Sequence, residues 1–322
     1  MLTQVNDGLA TVSDQLVLVT VLLYLAAMIC FALELAFGRV RTAVVAERRL
    51  VTVGAPAAPE NGVGEGAGDG GGAEPQQAAG WAITAGSAGV VISWLAWAGN
   101  LAGILTRGLA VDRWPWGNMY EFVVAICFAA VTAFLVLLTR QPIRFLGAFV
   151  TLTAALGLGF AVLFLHVQAG PVMPALHSYW IAIHVTAAIV ASGLFVLAGV
   201  CAILYLIRKD GRASSLPTRE VLERVVHRTI VISFPIWTFA VIAGAMWADR
   251  AWGRYWGWDP KEVWAFVTWV VYAAYLHARA TAGWRGRAAI IISLVAFACL
   301  LFNLIGVNIF ISGLHSYADV PS

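Results

Sequence analysis

Ser178-Tyr-Trp-Ile-Ala-Ile-His184-Val-Thr-Ala-Ala-Ile-Val-Ala-Ser-Gly-Leu-Phe-Val-Leu-Ala-Gly-Val-Cys-Ala-Ile-Leu-Tyr-Leu-Ile207 is thirty residues long and carries no Asp, Glu, Lys or Arg. A helix of that length rises about 45 Å, and roughly 20 apolar residues already suffice to cross a bilayer. In hydrocarbon every backbone N–H and C=O needs an internal partner, so a run of this kind reads as a transmembrane helix. Seven further windows repeat the signal, near Leu16 to Phe37, Trp81 to Thr106, Glu121 to Thr139, Phe145 to His166, Thr229 to Trp247, Glu262 to Ala278 and Ala288 to Gly313. With 61% hydrophobic and 11% charged residues, the composition excludes a soluble domain. The chain reads as an all-α, polytopic helical membrane protein of about eight transmembrane helices. The first run lacks a basic leader and has Glu34 and Arg39 at its far end, which predicts a retained span rather than a cleaved signal.

Fifteen of the twenty basic residues fall in one set of loops, at 39–49, 140–144, 208–228 and 279–287. The other set holds Arg107, Arg113, Arg250, Arg254 and Lys261. Lys and Arg gather in cytoplasmic loops, which places both termini and the segment 249–264 outside a bacterial plasma membrane. The same bias accounts for the net charge of +3 without a nucleic-acid partner. The expected division is a first transmembrane helix (1–40), a cytoplasmic linker (41–80), a membrane domain (81–318) and a short tail (319–322). The linker is rich in Gly, Ala, Pro and Glu with almost no bulky apolar residue from Val51 onward, a composition that leaves it disordered. In Leu216 to Arg228, the spacing of Val221, Leu222, Val225 and Val226 predicts a helix lying on the inner membrane surface. No repeat is evident, and no segment between spans is long enough for a soluble catalytic domain.

One stretch breaks the aliphatic pattern. Trp252-Gly-Arg-Tyr255-Trp256-Gly-Trp258-Asp259-Pro260-Lys261-Glu262-Val-Trp264 holds four indoles and a tyrosine within thirteen residues, with two glycines among them. Aromatic faces and glycines that let backbone approach closely suit a bulky planar ligand, and a porphyrin fits that description. Tryptophans also anchor proteins at membrane interfaces with no ligand, so the residues alone leave both readings open. Asp259-Pro260-Lys261-Glu262 further predicts N-cap, N1, N2 and N3 of a helix, which gives both carboxylates a structural role beside a ligand-facing one. Asn118 and Glu121 form a similar helix start.

The cysteines Cys30, Cys127, Cys201 and Cys299 each stand alone in a predicted span, so there is no redox pair and no zinc site. They read as small buried hydrophobes. Histidine is the better candidate for chemistry, because imidazole is a principal iron ligand and is costly to bury in lipid without a partner. His184 lies about six residues, or roughly 9 Å, below the outer start of its span, and His315 follows the outer end of the last one. His277 sits some fifteen residues, about 22 Å, from Glu262 along the helix, too far to share one iron with the other two. Two sites at different depths follow if all three bind metal. An ordinary histidine bonded to a carbonyl remains the alternative for each. His166 and His177 read as interface residues and His227, among arginines, as solvated.

The run from Trp252 to Arg279 resembles the tryptophan-rich "WWD" signature of heme-handling proteins and, over its full length, the CcsA/ResC family of System II cytochrome c biogenesis. Pro174-Ala-Leu-His-Ser-Tyr-Trp-Ile-Ala-Ile-His184-Val and Phe310-Ile-Ser-Gly-Leu-His315-Ser-Tyr-Ala are similar to that family's segments carrying two external heme ligands. Tyr272-Ala-Ala-Tyr-Leu-His277-Ala-Arg is similar to the segment carrying the ligand of a membrane-embedded heme, and Trp114-Pro-Trp-Gly-Asn118-Met-Tyr-Glu121 to an outer-loop motif. The resemblance covers roughly 81–318. It departs at His177, where members of the family commonly have glutamine.

The resemblance implies a protein that binds heme b and presents it at the outer face for thioether attachment to the Cys-x-x-Cys-His motifs of apocytochrome c. Trp252, Tyr255, Trp256, Trp258, Asp259 and Trp264 would form the heme-binding set, with His184 and His315 as axial ligands. His277 would serve an inner heme shared with a ResB-type membrane partner, and heme lyase (holocytochrome c synthase) activity would need that partner. The rival expectations are a heme transporter or chaperone of the CcmC type and a transmembrane diheme electron carrier.

Overall fold

The computed structural model describes residues 5–38, 80–172, 176, 178–208 and 216–315, and the described residues contain helices and no strand. Residues 41–79 of the expected linker and His177 lie outside the described residues. The helices are α1 (Asp7–Phe37), α2 (Gly80–Val111), α3 (Met119–Arg140), a single 3₁₀ turn (Arg144–Leu146) leading into α4 (Gly147–Phe164), α5 (Tyr179–Ile207), α6 (Arg219–Trp252) and α7 (Pro260–Ala280). Next, α8 (Arg287–Leu301) passes through a π-helical turn (Phe302–Gly306) into the short α9 (Val307–Phe310).

Seven of these units are long and apolar enough to cross a membrane: α1, α2, α3, 144–164, α5, α6 and 287–310. The chain is a multi-pass helical membrane protein. The expected span Glu262–Ala278 does form a helix, α7, but is not among the seven. Lys261, Glu262, His277 and Arg279 lower its hydropathy, and its large residues are aromatic instead of aliphatic. Those aromatics are spent on packing. Tyr272 stacks on Phe195 of α5 with ring centroids 3.9 Å apart, and Trp269 Nε1 donates to Thr238 Oγ1 of α6 at 2.9 Å.

The surface helix expected at Leu216 to Arg228 is corrected by the structure. Residues from Arg219 onward belong to α6, which continues unbroken to Trp252. Nothing between Arg228 and Thr229 stops a helix, and Leu222, Val225, Val226 and Ile230 are buried along one continuous seam with α5. Protein packing, not the membrane surface, covers the apolar face. Glu223 completes the junction by pairing with Arg279 of α7 and accepting the Gly286 N–H at 3.1 Å.

Helices α1, α2 and α4 pack together, α5 pairs with α6 and α7 with α8, while contacts of α5 with both α3 and α8 unite the groups. Lipid supplies no hydrophobic drive between spans, so close approach of small residues has to do that work. At Gly193 of α5 an added Cβ would lie 2.6 Å from the Ala129 Cβ of α3, which only glycine avoids. One set of helix ends meets where Asn6 N–H donates to Ala110 O, and the opposite set where Arg144 pairs with Glu34 at 2.9 Å. The candidate site lies at the first of these ends.

Candidate functional site

The turn between α6 and α7 builds the site from local chemistry. Helix α6 stops at Gly253, whose φ of 69° is the left-handed conformation that glycine adopts without steric penalty. Helix α7 starts with the capping box that Asp-Pro-Lys-Glu predicts: Asp259 accepts the Lys261 N–H at 3.2 Å, and Glu262 accepts those of Asp259 at 3.1 Å and Gly257 at 2.8 Å. Between them Trp258 takes a positive φ of 56°, unusual for a large side chain, and its indole points away from the protein with 72% of its surface exposed.

Beside this turn, α3, α5, α6, the first turn of α7 and the π-helical turn border a cleft that opens to solvent. Trp252, Tyr255 and Trp256 line it, together with His184 and His315. Both imidazoles are oriented by an acceptor on Nδ1. His184 Nδ1 contacts the Ala240 carbonyl of α6 at 2.7 Å; a carbonyl only accepts, so Nδ1 carries the proton and Nε2 the lone pair. Gly244 makes room for this ring, since a Cβ there would fall 2.7 Å from His184 Cε1. His315 Nδ1 contacts Asp259 Oδ2 at 2.6 Å, and Asp259 Oδ1 also accepts the Leu314 N–H at 2.5 Å. Burial raises the Asp259 pKa, but the hydrogen bonds from His315, Leu314 and Lys261 outweigh it and hold the carboxyl below its ordinary value. An ionised Asp259 leaves the His315 lone pair on Nε2. Carboxylate or carbonyl behind the imidazole is the arrangement that fixes tautomer and ring orientation in metal ligands.

Trp247, at the last turns of α6, touches both histidines: its ring is stacked parallel to His184 at 6.2 Å and tilted against His315 at 5.7 Å. Trp252 meets His315 edge-on at 5.1 Å. The opposite wall is the segment Trp116 to Met119, held from behind by buried charges. Glu121 accepts from Arg107 at 3.2 Å, from Arg113 at 3.0 Å and from the Gly117 N–H at 2.7 Å, while Arg107 also reaches Asp14 of α1 at 3.3 Å. Asn118 caps α3 by accepting the Glu121 N–H at 2.9 Å, the role its spacing predicts.

The residues singled out in the sequence therefore separate. Trp252, Tyr255, Trp256, His184 and His315 share the cleft, and Asp259 stands behind His315. Trp258 packs edge-on against Trp256 at 5.9 Å without lining the cleft, and Trp264 packs on Phe302 at 4.3 Å, also away from it. His277 lies near the other end of α7, exposed on a stripe with Phe266, Val270 and Ala274. Of the remaining histidines, His166 pairs with Asp14 at 3.1 Å, and His227 is half-buried with Nδ1 3.4 Å from the Tyr275 hydroxyl instead of solvated. Of the cysteines, Cys127 and Cys201 are buried as expected, whereas Cys30 and Cys299 are half-buried. Among the described residues no cluster of three or more His, Cys, Asp or Glu side chains could hold a metal ion by itself.

Trp247, Lys261, Trp116 and Asn303 belong to the cleft but did not stand out as site residues in the sequence. Trp247 ends a span, where indoles commonly serve as anchors, and Lys261 reads as an ordinary first-turn residue. Asn303 did carry a signal, being an amide within an apolar run.

The model of the family described as cytochrome C assembly protein matches residues 116–315, a range containing the whole cleft. Proteins named cytochrome c biogenesis protein CcsA are similar over much of the chain. The one from Chlamydomonas reinhardtii is 35% identical over 224 residues, covering 66% of this chain and 64% of its own. That of Gloeobacter violaceus is 32% identical over 280 residues, covering 68% and 82%, and that of Synechococcus elongatus 32% over 285 residues, covering 72% and 86%. With the match spanning every helix that shapes the cleft, the chain belongs to the cytochrome c assembly protein family, and within it to the CcsA type.

Proposed function

We propose that this protein takes part in cytochrome c biogenesis by holding heme b in the cleft at the outer face of the plasma membrane and presenting it to apocytochrome c. The observation that carries the reading is the pair His184 and His315, each turned by an acceptor on Nδ1 so that its lone pair lies on Nε2, in a cleft walled by aromatic rings. Trp252, Tyr255 and Trp256 supply the flat apolar walls and Asp259 makes His315 a more basic ligand. Attachment adds each client thiol, as S–H, across a heme vinyl double bond; that reactivity belongs to heme and thiol. The protein's part is to bind, orient and shield. A client's own histidine then has to displace one of the two axial imidazoles.

His277 supports a second element of the proposal. Its exposure on the stripe Phe266, Val270, Ala274 suits an inner heme completed by a ResB-type partner, which heme lyase activity then requires. A diheme carrier within this one chain needs a second inner imidazole facing His277, whereas His227 is directed at Tyr275. The test is heme per protein and optical spectrum for the purified chain and for the variant His184→Ala, His315→Ala. Heme content should fall at least tenfold in the variant and recover in part with added imidazole; an unchanged spectrum and content would sink the reading.

A further inference from the structure

The cleft contains polar groups that its imidazoles and aromatic walls do not account for. Lys261 lines it at the first turn of α7, and its ammonium has no hydrogen-bond or ion-pair partner among the described residues. Its backbone N–H donates to the capping carboxylate of Asp259, which fixes where the side chain starts. The neighbouring carboxylate of Glu262 also borders the cleft but is occupied by the N–H groups of Gly257 and Asp259. Asp259 is occupied by His315 and Leu314. Two further cleft residues, Trp116 and Asn303, keep a buried indole N–H and a buried amide oxygen with no hydrogen-bond partner among the described residues. Asn303 is 95% buried by its 5% relative exposure and sits in the π-helical turn, a distortion that often marks functional sites.

Asp259 is the carboxylate whose charge acts on this ammonium, but it is engaged by His315, so a cation facing an aromatic cleft gains from a ligand that brings negative charge of its own. We infer that Lys261 is the recognition point for a carboxylate on the rim of the bound macrocycle, so that the cleft selects tetrapyrroles bearing free acid side chains. This rests on the proposed reading of the cleft as a heme site and names the ligand feature read there. The placement fits: Lys261 is two residues beyond Asp259, which orients His315, so one turn of α7 sets both an axial imidazole and the charge meant for the porphyrin edge. Trp116 Nε1 offers a donor on another wall for a second carboxylate of such a ligand. An ammonium is a compact point charge and a guanidinium a planar fork, but both pair with carboxylates, so arginine should retain part of the function.

The experiment titrates iron protoporphyrin IX and its dimethyl ester into the detergent-purified full chain, stripped of endogenous porphyrin, and reads the Soret band. Wild-type protein should bind the free acid at least tenfold more tightly than the ester. Lys261→Met should bring the two within about twofold while keeping the same axial spectrum, and Lys261→Arg should keep most of the preference. If the methionine variant does not accumulate, Lys261→Gln takes its place with the same expectation. Equal binding of acid and ester by wild-type protein, or an undiminished preference in Lys261→Met or Lys261→Gln, would overturn the inference and leave the heme reading standing. Saturable binding of neither porphyrin would overturn the heme reading and the inference together.

Discussion

The two ends of α7 present their histidine partners in opposite ways. At the first turn, Asp259 grips His315 from another segment fifty-six positions away, and the imidazole is enclosed by Trp247 and Trp252. At the last turn, His277 stands exposed, while the residues that pack on the protein interior are Tyr272 and Tyr275 on another face. One end is organised before any ligand arrives; the other offers a single side chain to whatever lies alongside. A preorganised end loses little entropy on binding and can serve as a self-sufficient site, whereas an exposed imidazole needs a second chain to complete it.

Substitution at the preorganised end should do the most damage. Asp259→Asn removes the carboxylate behind His315 while keeping an amide that can still cap α7. Loss of such a partner typically costs about 10- to 100-fold in metal affinity. The expected result is weaker heme retention of that order, read by titration, with normal accumulation of the protein; retention equal to wild type would show that His315 does not depend on its orienting group.

A smaller effect separates the tryptophans from one another. Trp252→Leu and Trp256→Leu should each weaken heme binding several-fold, because these rings face the cleft, whereas Trp258→Leu should change it by less than about twofold, the indole being directed outward. Equal losses from all three would mean that Trp258 swings inward when the site is loaded. Trp258 and Tyr255 are exposed beside the cleft, so under the proposed function heme transfer to a client is the measurement in which Trp258→Leu would reveal a separate role.

The smallest change is expected at the other end. In the isolated chain, His277→Ala should leave heme content unaltered. Co-expression with a ResB-type protein should then add a second heme to the complex that is lost in the same variant. Two hemes bound by the isolated chain, or no loss from the complex on removing His277, would erase the contrast between the ends.

What the sequence reveals follows the range over which each residue acts. The capping of α3 by Asn118 and of α7 by Asp259 is legible because both partners lie within a turn. That Asp259 also holds His315 is not, because the contact is made by chain folding across fifty-six positions. Proximity in sequence likewise groups Trp252, Trp256 and Trp258, but the positive φ at Trp258 sends its ring outward, and Trp247, from the preceding span, is the indole that meets both imidazoles. The apolar spacing at Leu222, Val225 and Val226 is real; which surface covers it, membrane or helix α5, is a matter of tertiary packing that spacing does not encode.

The buried charges around Glu121 bear on how α1 and α2 find their alignment. The face of α2 that meets α1 is mostly small, with Gly86, Gly89, Ser93, Ala96 and Gly103 interrupted by Asn100, and small residues of this kind by themselves offer nearly equivalent contacts at several vertical offsets. Sliding α1 by one turn, about 5.4 Å, would carry Asp14 out of reach of Arg107 and leave the buried guanidinium with Glu121 as its remaining carboxylate partner. The ion network thus acts as a detent, a notch that admits only one depth of α1 relative to its neighbours. Because Glu121 in the same notch also secures Gly117 on the cleft wall, the seating of the first helix and the shape of the ligand cleft are settled by a single electrostatic fit.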